Sequence, residues 1–295
     1  MITKNPMQLK ALIKNKASEN QISAQLVMQN YMLERLLERI SVSKYHDNFI
    51  LKGGFLISAI VGLDTRATMD LDTTIKGITL TKEALNKIFE EICRISLDDD
   101  VTFAISGIND IRETDDYPGI RIGLNAQYLP LNVPLSVDVT TGDAITPKEI
   151  EYTFKLLFDD RQISILAYNL ETILAEKIET VLSRSIANTR PRDFYDIYII
   201  YKLRSKECNL QTLKDAIEKT AEKRGSLHVL SEYQKILNNI QDSDRLKGFW
   251  NRYQKDFTYA NDIEFSDLCN CIKQIMQMIL PGDSLIIDEN SKIKM

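Results

Sequence analysis

Residues Leu51–Ile75 read LKGGFLISAIVGLDTRATMDLDTTI. Gly53 and Gly54 open a short apolar helix, a turn follows, and a predicted strand then holds Asp70 and Asp72. Side chains two apart on a strand share one face, so these carboxylates repel each other unless a cation lies between them. Mg²⁺ is the expected cation, because it prefers carboxylate oxygens and shares its coordination shell with substrate phosphates. The free N–H groups at the helix start suit those phosphates, so the segment predicts a metal–nucleotide site.

A third carboxylate can join this pair. In the predicted strand Leu131–Thr140, Asp138 alternates with two valines and therefore faces away from them. If this strand lies beside the one with Asp70 and Asp72, three carboxylates converge. Such a set suits two metal ions, of which one holds a triphosphate and the other activates an attacking hydroxyl.

The composition limits the class of protein. The chain has 295 residues, of which 44% are apolar and 27% charged, as in soluble globular proteins. No apolar run approaches the ~20 residues of a membrane-spanning helix, and the N-terminus lacks the apolar core of a signal peptide. We therefore expect a cytoplasmic protein without a membrane partner. The net charge of −5 argues against a general nucleic-acid coat but allows local recognition. Four scattered cysteines predict free thiols, not a disulfide framework.

The hydrophobic pattern predicts an N-terminal α/β part. Residues 7–42 predict two helices, with Glu34, Arg35, Glu38 and Arg39 on the solvent side of the second. The further elements predicted are strands at Met69–Ile75, Val101–Ile108, Gly119–Tyr128 and Leu131–Thr140, and a helix at Thr81–Ser96. Their arrangement indicates a mixed or largely antiparallel sheet. The acidic run at residues 98–100 is interpreted as a solvated turn.

Beyond about Arg161 the strand signals nearly vanish. Asn169 is placed to cap a helix over Leu170–Ser185, and a second helix is predicted over Arg192–Leu203. Helical patterns continue to Leu280, and residues 281–295 are expected to form a tail, with one short strand at most. The predicted domains are residues 1–160, an α/β domain with N-terminal helices, and residues 161–295, a mostly helical domain.

Two groups of motifs resemble a known family. The Gly-rich helix start, the D-x-D strand and the later acid resemble the polymerase-beta-like nucleotidyltransferases. The finer pattern L-K-G-G…R-x-T-x-D-L-D, followed by A-E-K-I-E…R-P-R-D-F-Y-D, is similar to the AbiEii/AbiGii toxin family of type IV toxin–antitoxin and abortive-infection systems. The resemblance extends from about Phe49 to Tyr201. It implies an α+β fold, with a polymerase-beta-like mixed sheet, flanking helices and a C-terminal helical domain that completes the active site.

The resemblance also implies roles for matching residues. Asp70 and Asp72 would bind the metal, and Asp193 or Asp196 would be an essential acid. Arg66 and Thr68 would contact the nucleotide phosphates, and Lys177 would contact the triphosphate. Gly53 and Gly54 would shape the pocket. The last two acids are three residues apart on a helix and are therefore neighbours, but which one faces the cleft stays open. Asp138 as a metal ligand follows from the wider superfamily. Gly54 stands where many relatives have Ser, which leaves backbone donors for the phosphate.

Ordinary structural explanations for these residues stay open. Arg66 and Thr68 could equally be turn residues, and Lys177 could be a solvated lysine, although no acid lies three or four residues from it. Three arginines, Arg184, Arg190 and Arg192, could form a charged turn or contact phosphates of an RNA backbone.

The function implied by the resemblance is Mg²⁺-dependent transfer of a nucleoside monophosphate from an NTP to an acceptor hydroxyl. RNA, above all the 3′ end of tRNA, is the implied acceptor, and its modification would arrest growth or abort phage infection. A separately encoded antitoxin is implied, acting on expression and not by direct binding. Two alternatives remain: a protein or small-molecule acceptor, and a non-catalytic nucleotide-binding regulatory module.

Overall fold

The computed structural model describes residues 5–66, 68–111 and 119–281, so most of the predicted C-terminal tail lies outside the described residues. The helices are α1 Pro6–Glu19, α2 Ala24–Val42, α3 Gly53–Val61, α4 Lys82–Cys93, α5 Leu170–Arg184, α6 Pro191–Arg204, α7 Leu210–Lys223, α8 His228–Ser231, α9 Tyr233–Asp242, α10 Asp244–Asp256 and α11 Phe265–Ile279. The strands are β1 Phe49–Lys52, β2 Leu71–Ile75, β3 Thr102–Ile111, β4 Gly119–Tyr128, β5 Leu131–Thr141, β6 Ile150–Lys155 and β7 Gln162–Ala167.

The strands form one mixed sheet in the order β3-β4-β5-β2-β1-β7-β6. The pairs β1–β7 and β2–β5 are parallel, and the other neighbouring strands are antiparallel. Buried and exposed residues alternate along most of β4, as expected for a strand with one face on the core. The predicted α+β class with a mixed sheet is therefore confirmed, together with the strands around Asp72 and Asp138.

The position of strand β7 differs from the prediction that strands end near Arg161. Strand β7 begins after Arg161, where strand signals were expected to vanish, and it pairs with β1 near the middle of the sheet. The six-residue strand shows its pattern only in the alternately buried Ile163, Ile165 and Ala167. So short an apolar alternation is ambiguous without its pairing partner. The division of the chain at residue 160 stays a prediction.

The charged residues of α2 are buried, not solvated, which corrects a second expectation. Arg35 binds Glu34 and Glu38 at 2.6 and 2.5 Å, and Arg39 binds both carboxylate oxygens of Asp99 at 2.8 Å. Asp99, expected in a solvated turn, is 2% exposed. Because α2 contacts β5, β7 and α4, its polar side is enclosed as well, and the charges must pair with one another. Burial raises the pKa of Glu34 to about 7, against the opposing charge of Arg35.

The helical part packs on the sheet through α3. This helix contacts β1 and β2 on one side and α6 on the other, and the buried apolar residues form one cluster from α1 to α11. Asn169 caps α5 as predicted, because its side chain accepts a hydrogen bond from the Thr172 N–H at 2.8 Å. Among the described residues, no helix is both long and apolar enough to cross a lipid bilayer.

Candidate active site

The predicted acids lie at adjacent positions of the sheet. Asp72 on β2 and Asp138 on β5 are direct register partners, so the condition for a convergence of the acids, that these strands lie side by side, is met. Asp70 lies just before the first residue of β2, although the sequence placed it within the strand. Neighbouring strands are about 4.8 Å apart, so side chains that share a register position and a face lie close together.

Basic residues at both ends extend this register into a row of charges. Lys52 on β1 pairs with Asp72, and Arg121 on β4 pairs with Asp138, so the order across four strands is Lys52, Asp72, Asp138, Arg121. Sequence reading missed both basic residues, because a single Lys or Arg in a strand has no diagnostic spacing. The Lys52 Nζ donates to Asp143 Oδ2 at 2.6 Å and to Thr140 Oγ1 at 2.7 Å.

The acids fit a divalent cation in chemistry and charge. Desolvation by the surrounding protein, followed by the negative charges of Asp72 and Asp138, raises the pKa of Asp70, while Arg121 and Arg192 oppose the rise. Carboxylates that disfavour each other's ionisation would be relieved by a cation between them. Within residues 5–66, 68–111 and 119–281, however, no group of three or more His, Cys, Asp or Glu side chains is arranged to hold a metal ion. Because both carboxylate oxygens of Asp138 bind Arg121, the acids that could coordinate a cation are Asp70 and Asp72.

The glycine pair at the start of α3 packs against the acids and the neighbouring turn. Gly53 has a φ of +66°, and a Cβ there would overlap the Asp72 carboxylate. A Cβ on Gly54 would lie 2.9 Å from Thr68 Oγ1 and 3.1 Å from Arg66 Nη2. No side chain caps the first turn of α3, which leaves its N–H groups available to an anion. The pair thus brings the helix start against the predicted metal ligands.

Replacement of Gly53 by Ala is expected to displace the Asp72 carboxylate. We expect the unfolding free energy to fall by about 1–2 kcal/mol from the left-handed backbone alone, with a further loss from the overlap. Any activity that depends on the position of this carboxylate should fall by about 10²-fold, as expected when a catalytic group is displaced slightly. The matched control is Gly225→Ala, because Gly225 has a φ of +64° but no atom within 4 Å of the added Cβ. Equal stability and activity of the two variants would contradict this account.

A second, buried ionic cluster joins α5 and α6 to the turn before β2. Lys177 Nζ lies 2.6 Å from Asp193 Oδ1 and 3.0 Å from Asp196 Oδ2. Asp196 also accepts a hydrogen bond from Arg66 Nε at 2.6 Å. Asp193 and Asp196 therefore share one face of α6, as their spacing predicted, and both are buried.

The cluster favours the ionised forms of Asp196 and Lys177. Burial alone would raise the pKa of Asp196, but the charges of Arg66 and Lys177 outweigh it and lower that pKa. Burial would lower the pKa of Lys177, but Asp193 and Asp196 raise it instead. Lys177 is therefore not the solvated lysine of the ordinary explanation, and Arg66 is not a simple turn residue. Their predicted contacts with nucleotide phosphates stay predictions.

The two groups of predicted residues meet at the start of α3. Arg66 binds Asp196 on one side and lies close to Gly54 on the other, and Gly53 packs on Asp72. The turn is also held by Tyr195, whose hydroxyl donates to the Thr65 carbonyl at 2.6 Å. Sequence reading missed Tyr195, although its place between Asp193 and Asp196 was visible. Ten predicted site residues thus lie in one region spanning the sheet and the helical part.

The arginines near this region differ in position. Arg192, in the first turn of α6, is exposed and lies close enough to Asp70 to oppose the rise in the pKa of that acid. Arg184 is exposed at the end of α5. The Arg192 side chain therefore places positive charge beside the acidic region.

Comparison with known proteins gives one family match and two solved structures of limited similarity. The sequence model of the family described as the nucleotidyl transferase AbiEii toxin of type IV toxin–antitoxin systems matches residues 35–270. A Helicobacter pylori crystal structure provisionally described as a nucleotidyltransferase is 15% identical, with a TM-score of 0.48 over 88% of this chain and 98% of that chain. JHP933 from Helicobacter pylori is 16% identical, with a TM-score of 0.45 over 88% of this chain and 95% of that one. No curated protein matches the sequence.

Proposed function

Because the chain belongs to the AbiEii nucleotidyl transferase toxin family of type IV toxin–antitoxin systems, we propose that it transfers a nucleoside monophosphate from an NTP to the 3′ hydroxyl of tRNA. The observation on which this proposal depends is the contact chain from Asp72 through Gly53, Gly54 and Arg66 to Asp196. These contacts connect Asp72 with the ionic cluster between α5 and α6, which supports the proposal of a single site.

The acids would hold Mg²⁺. Asp70 and Asp72 would be its ligands, and the ion, when bound, would neutralise phosphate charge and favour the attack of a hydroxyl. The protein itself would keep both carboxylates together at the N-terminal end of β2. The start of α3 would bind the phosphates through its uncapped N–H groups.

Lys177 would bind the triphosphate while it stays bound to α6. An ammonium group has three protons, and Asp193 and Asp196 accept two of them. The remaining proton can be donated to a phosphate oxygen, and the raised pKa of Lys177 keeps the group charged at neutral pH. Arg66 then acts mainly by holding Asp196, and Thr68 lies beside Gly54 at the phosphate position.

An RNA acceptor fits the charge around the site. The exposed Arg192 lies close to Asp70, and phosphate contacts position a nucleic acid without reading its sequence. Modification of the tRNA 3′ end would block aminoacylation, which would explain a toxin and, in infected cells, abortive infection. The family implies an antitoxin, and we propose that it acts on expression and not by binding this chain.

Labelled NTPs, Mg²⁺ and total tRNA test the proposal directly. The wild-type protein is expected to transfer label to tRNA, whereas Asp70→Asn and Asp72→Asn should transfer almost none. Periodate-oxidised tRNA, which lacks an intact 3′ diol, is the matched substrate control and should accept no label.

Three other results of this assay would each refute a different part of the proposal. Label on protein or on a small molecule in a cell lysate, with none on tRNA, would refute the tRNA acceptor but keep the reaction. Nucleotide binding without any transfer would refute catalysis. Equal transfer by wild type and both variants would refute the assignment of Asp70 and Asp72.

A further inference from the structure

Arg121 binds both carboxylate oxygens of Asp138, the third acid of the site. Its Nε donates to Asp138 Oδ1 at 2.7 Å, and its Nη2 donates to Asp138 Oδ2 at 2.8 Å. Both oxygens of Asp138 therefore accept a hydrogen bond from the same guanidinium, in the two-pronged geometry that arginine and carboxylate favour. A cation that approached Asp138 would need the oxygens that Arg121 already holds.

Arg121 also reduces the net negative charge of the three acids. Asp70, Asp72 and Asp138 together contribute three negative charges, and Arg121 contributes one positive charge. Lys52, at the other end of the row, is already balanced by Asp143 at 2.6 Å. The net charge of the three acids and Arg121 is −2, which a single divalent cation balances; Arg192 also acts on Asp70, but less strongly than Arg121.

We propose that Arg121 is the fixed countercharge of Asp138 and that it limits the nucleotide-free protein to one divalent cation, bound by Asp70 and Asp72. Without Arg121, Asp138 would become a third ligand and the charge of the group would be −3. The inference depends on the metal assignment under the proposed function. Arg121 acts through Asp138 and is therefore a positioning residue.

A purely structural ion pair would behave differently. The Arg121 side chain is 47% exposed, and exposed ion pairs stabilise folds little. A structural role therefore predicts a small change in thermal stability and no change in cation binding. The proposed role predicts a change in cation binding that requires Asp138.

Mn²⁺ binding by the full chain without nucleotide tests the inference. Free Mn²⁺ is counted by electron paramagnetic resonance for wild type, Arg121→Gln, Asp138→Asn and the double variant. We expect wild type to bind one ion, and Arg121→Gln to bind a second ion or to bind the first at least tenfold more tightly. The double variant, in which the charges of Arg121 and Asp138 are both removed, should match wild type. Asp138→Asn, which leaves Arg121 unpaired beside Asp70 and Asp72, should bind Mn²⁺ no more tightly than wild type. Arg94→Gln, which removes an exposed arginine paired with Glu90, is the control and should change nothing.

Two results would overturn the inference: Mn²⁺ binding by Arg121→Gln that equals wild type, or a double variant that binds Mn²⁺ as Arg121→Gln does, because the gain would then not require Asp138. If Arg121→Gln does not fold, Arg121→Lys replaces it, because an ammonium lacks the planar fork and should release Asp138 in part.

Failure of the proposed metal site can be distinguished from failure of the role of Arg121. If Asp70→Asn and Asp72→Asn bind Mn²⁺ as wild type does, or if no protein binds it, the metal assignment itself fails and the inference fails with it.

Discussion

Asp72→Asn is expected to lower nucleotidyl transfer by about 10³-fold while the fold stays intact. A bound metal ion supplies several kcal/mol of transition-state stabilisation, and each 1.36 kcal/mol corresponds to a tenfold change in rate. Asn keeps the shape of the side chain but removes the charge that we propose binds the metal ion, at the register position beside Asp138. Single-turnover transfer rates with labelled NTP measure the effect.

The stability of this variant separates a catalytic from a structural cause. Removal of one negative charge relieves repulsion with Asp70 and Asp138, so the thermal midpoint should equal or exceed that of wild type. Asp110→Asn is the matched control, because Asp110 lies on β3 next to the register position of Arg121 but forms an ion pair with Lys82 of α4. A transfer rate within tenfold of wild type, or a lost fold, would contradict the prediction.

Asp196→Ala is expected to lower the unfolding free energy by about 3–5 kcal/mol, because it leaves two buried cations without their shared partner. Asp196 is fully buried and binds Arg66 at 2.6 Å and Lys177 at 3.0 Å. Asp193→Ala should cost less, since Asp193 binds Lys177 through one oxygen and its Oδ2 makes no hydrogen bond with the described residues. Urea unfolding of both variants, with the exposed Asp244→Ala as control, measures the difference.

The pH dependence gives this prediction a second readout. The folded-state pKa of Asp196 is lowered by Arg66 and Lys177 against the effect of burial. Its contribution to stability is therefore present above the unfolded-state pKa of about 3.9 and is lost as the pH falls through the lower folded-state value. The stability gap between wild type and Asp196→Ala should narrow as the pH drops below about 4. A gap that stays constant to lower pH would mean that packing, not charge, explains the loss.

Local geometry explains which parts of the site the sequence could predict. The positions of Asp72 and Asp138 depended on the two-residue period of strands, and the shared face of Asp193 and Asp196 depended on the helical period. Both are properties of a few consecutive residues. The expected solvation of Glu34, Arg35, Glu38 and Arg39 was wrong for the complementary reason. Whether a charged helix face meets water depends on what packs against it, and residues distant in the chain determine that.

By itself, the sequence determined the α+β class, the family and the residue types of the site, because these follow from short-range periods and from motif spacing. Only the tertiary structure decided the partners of the charges. Arg121 holds Asp138, Lys177 joins Asp193 to Asp196, and Arg66 connects that cluster to the start of α3. An ionic partner is selected by distance in space and by exclusion of water, and neither is written in the spacing of residues along a chain.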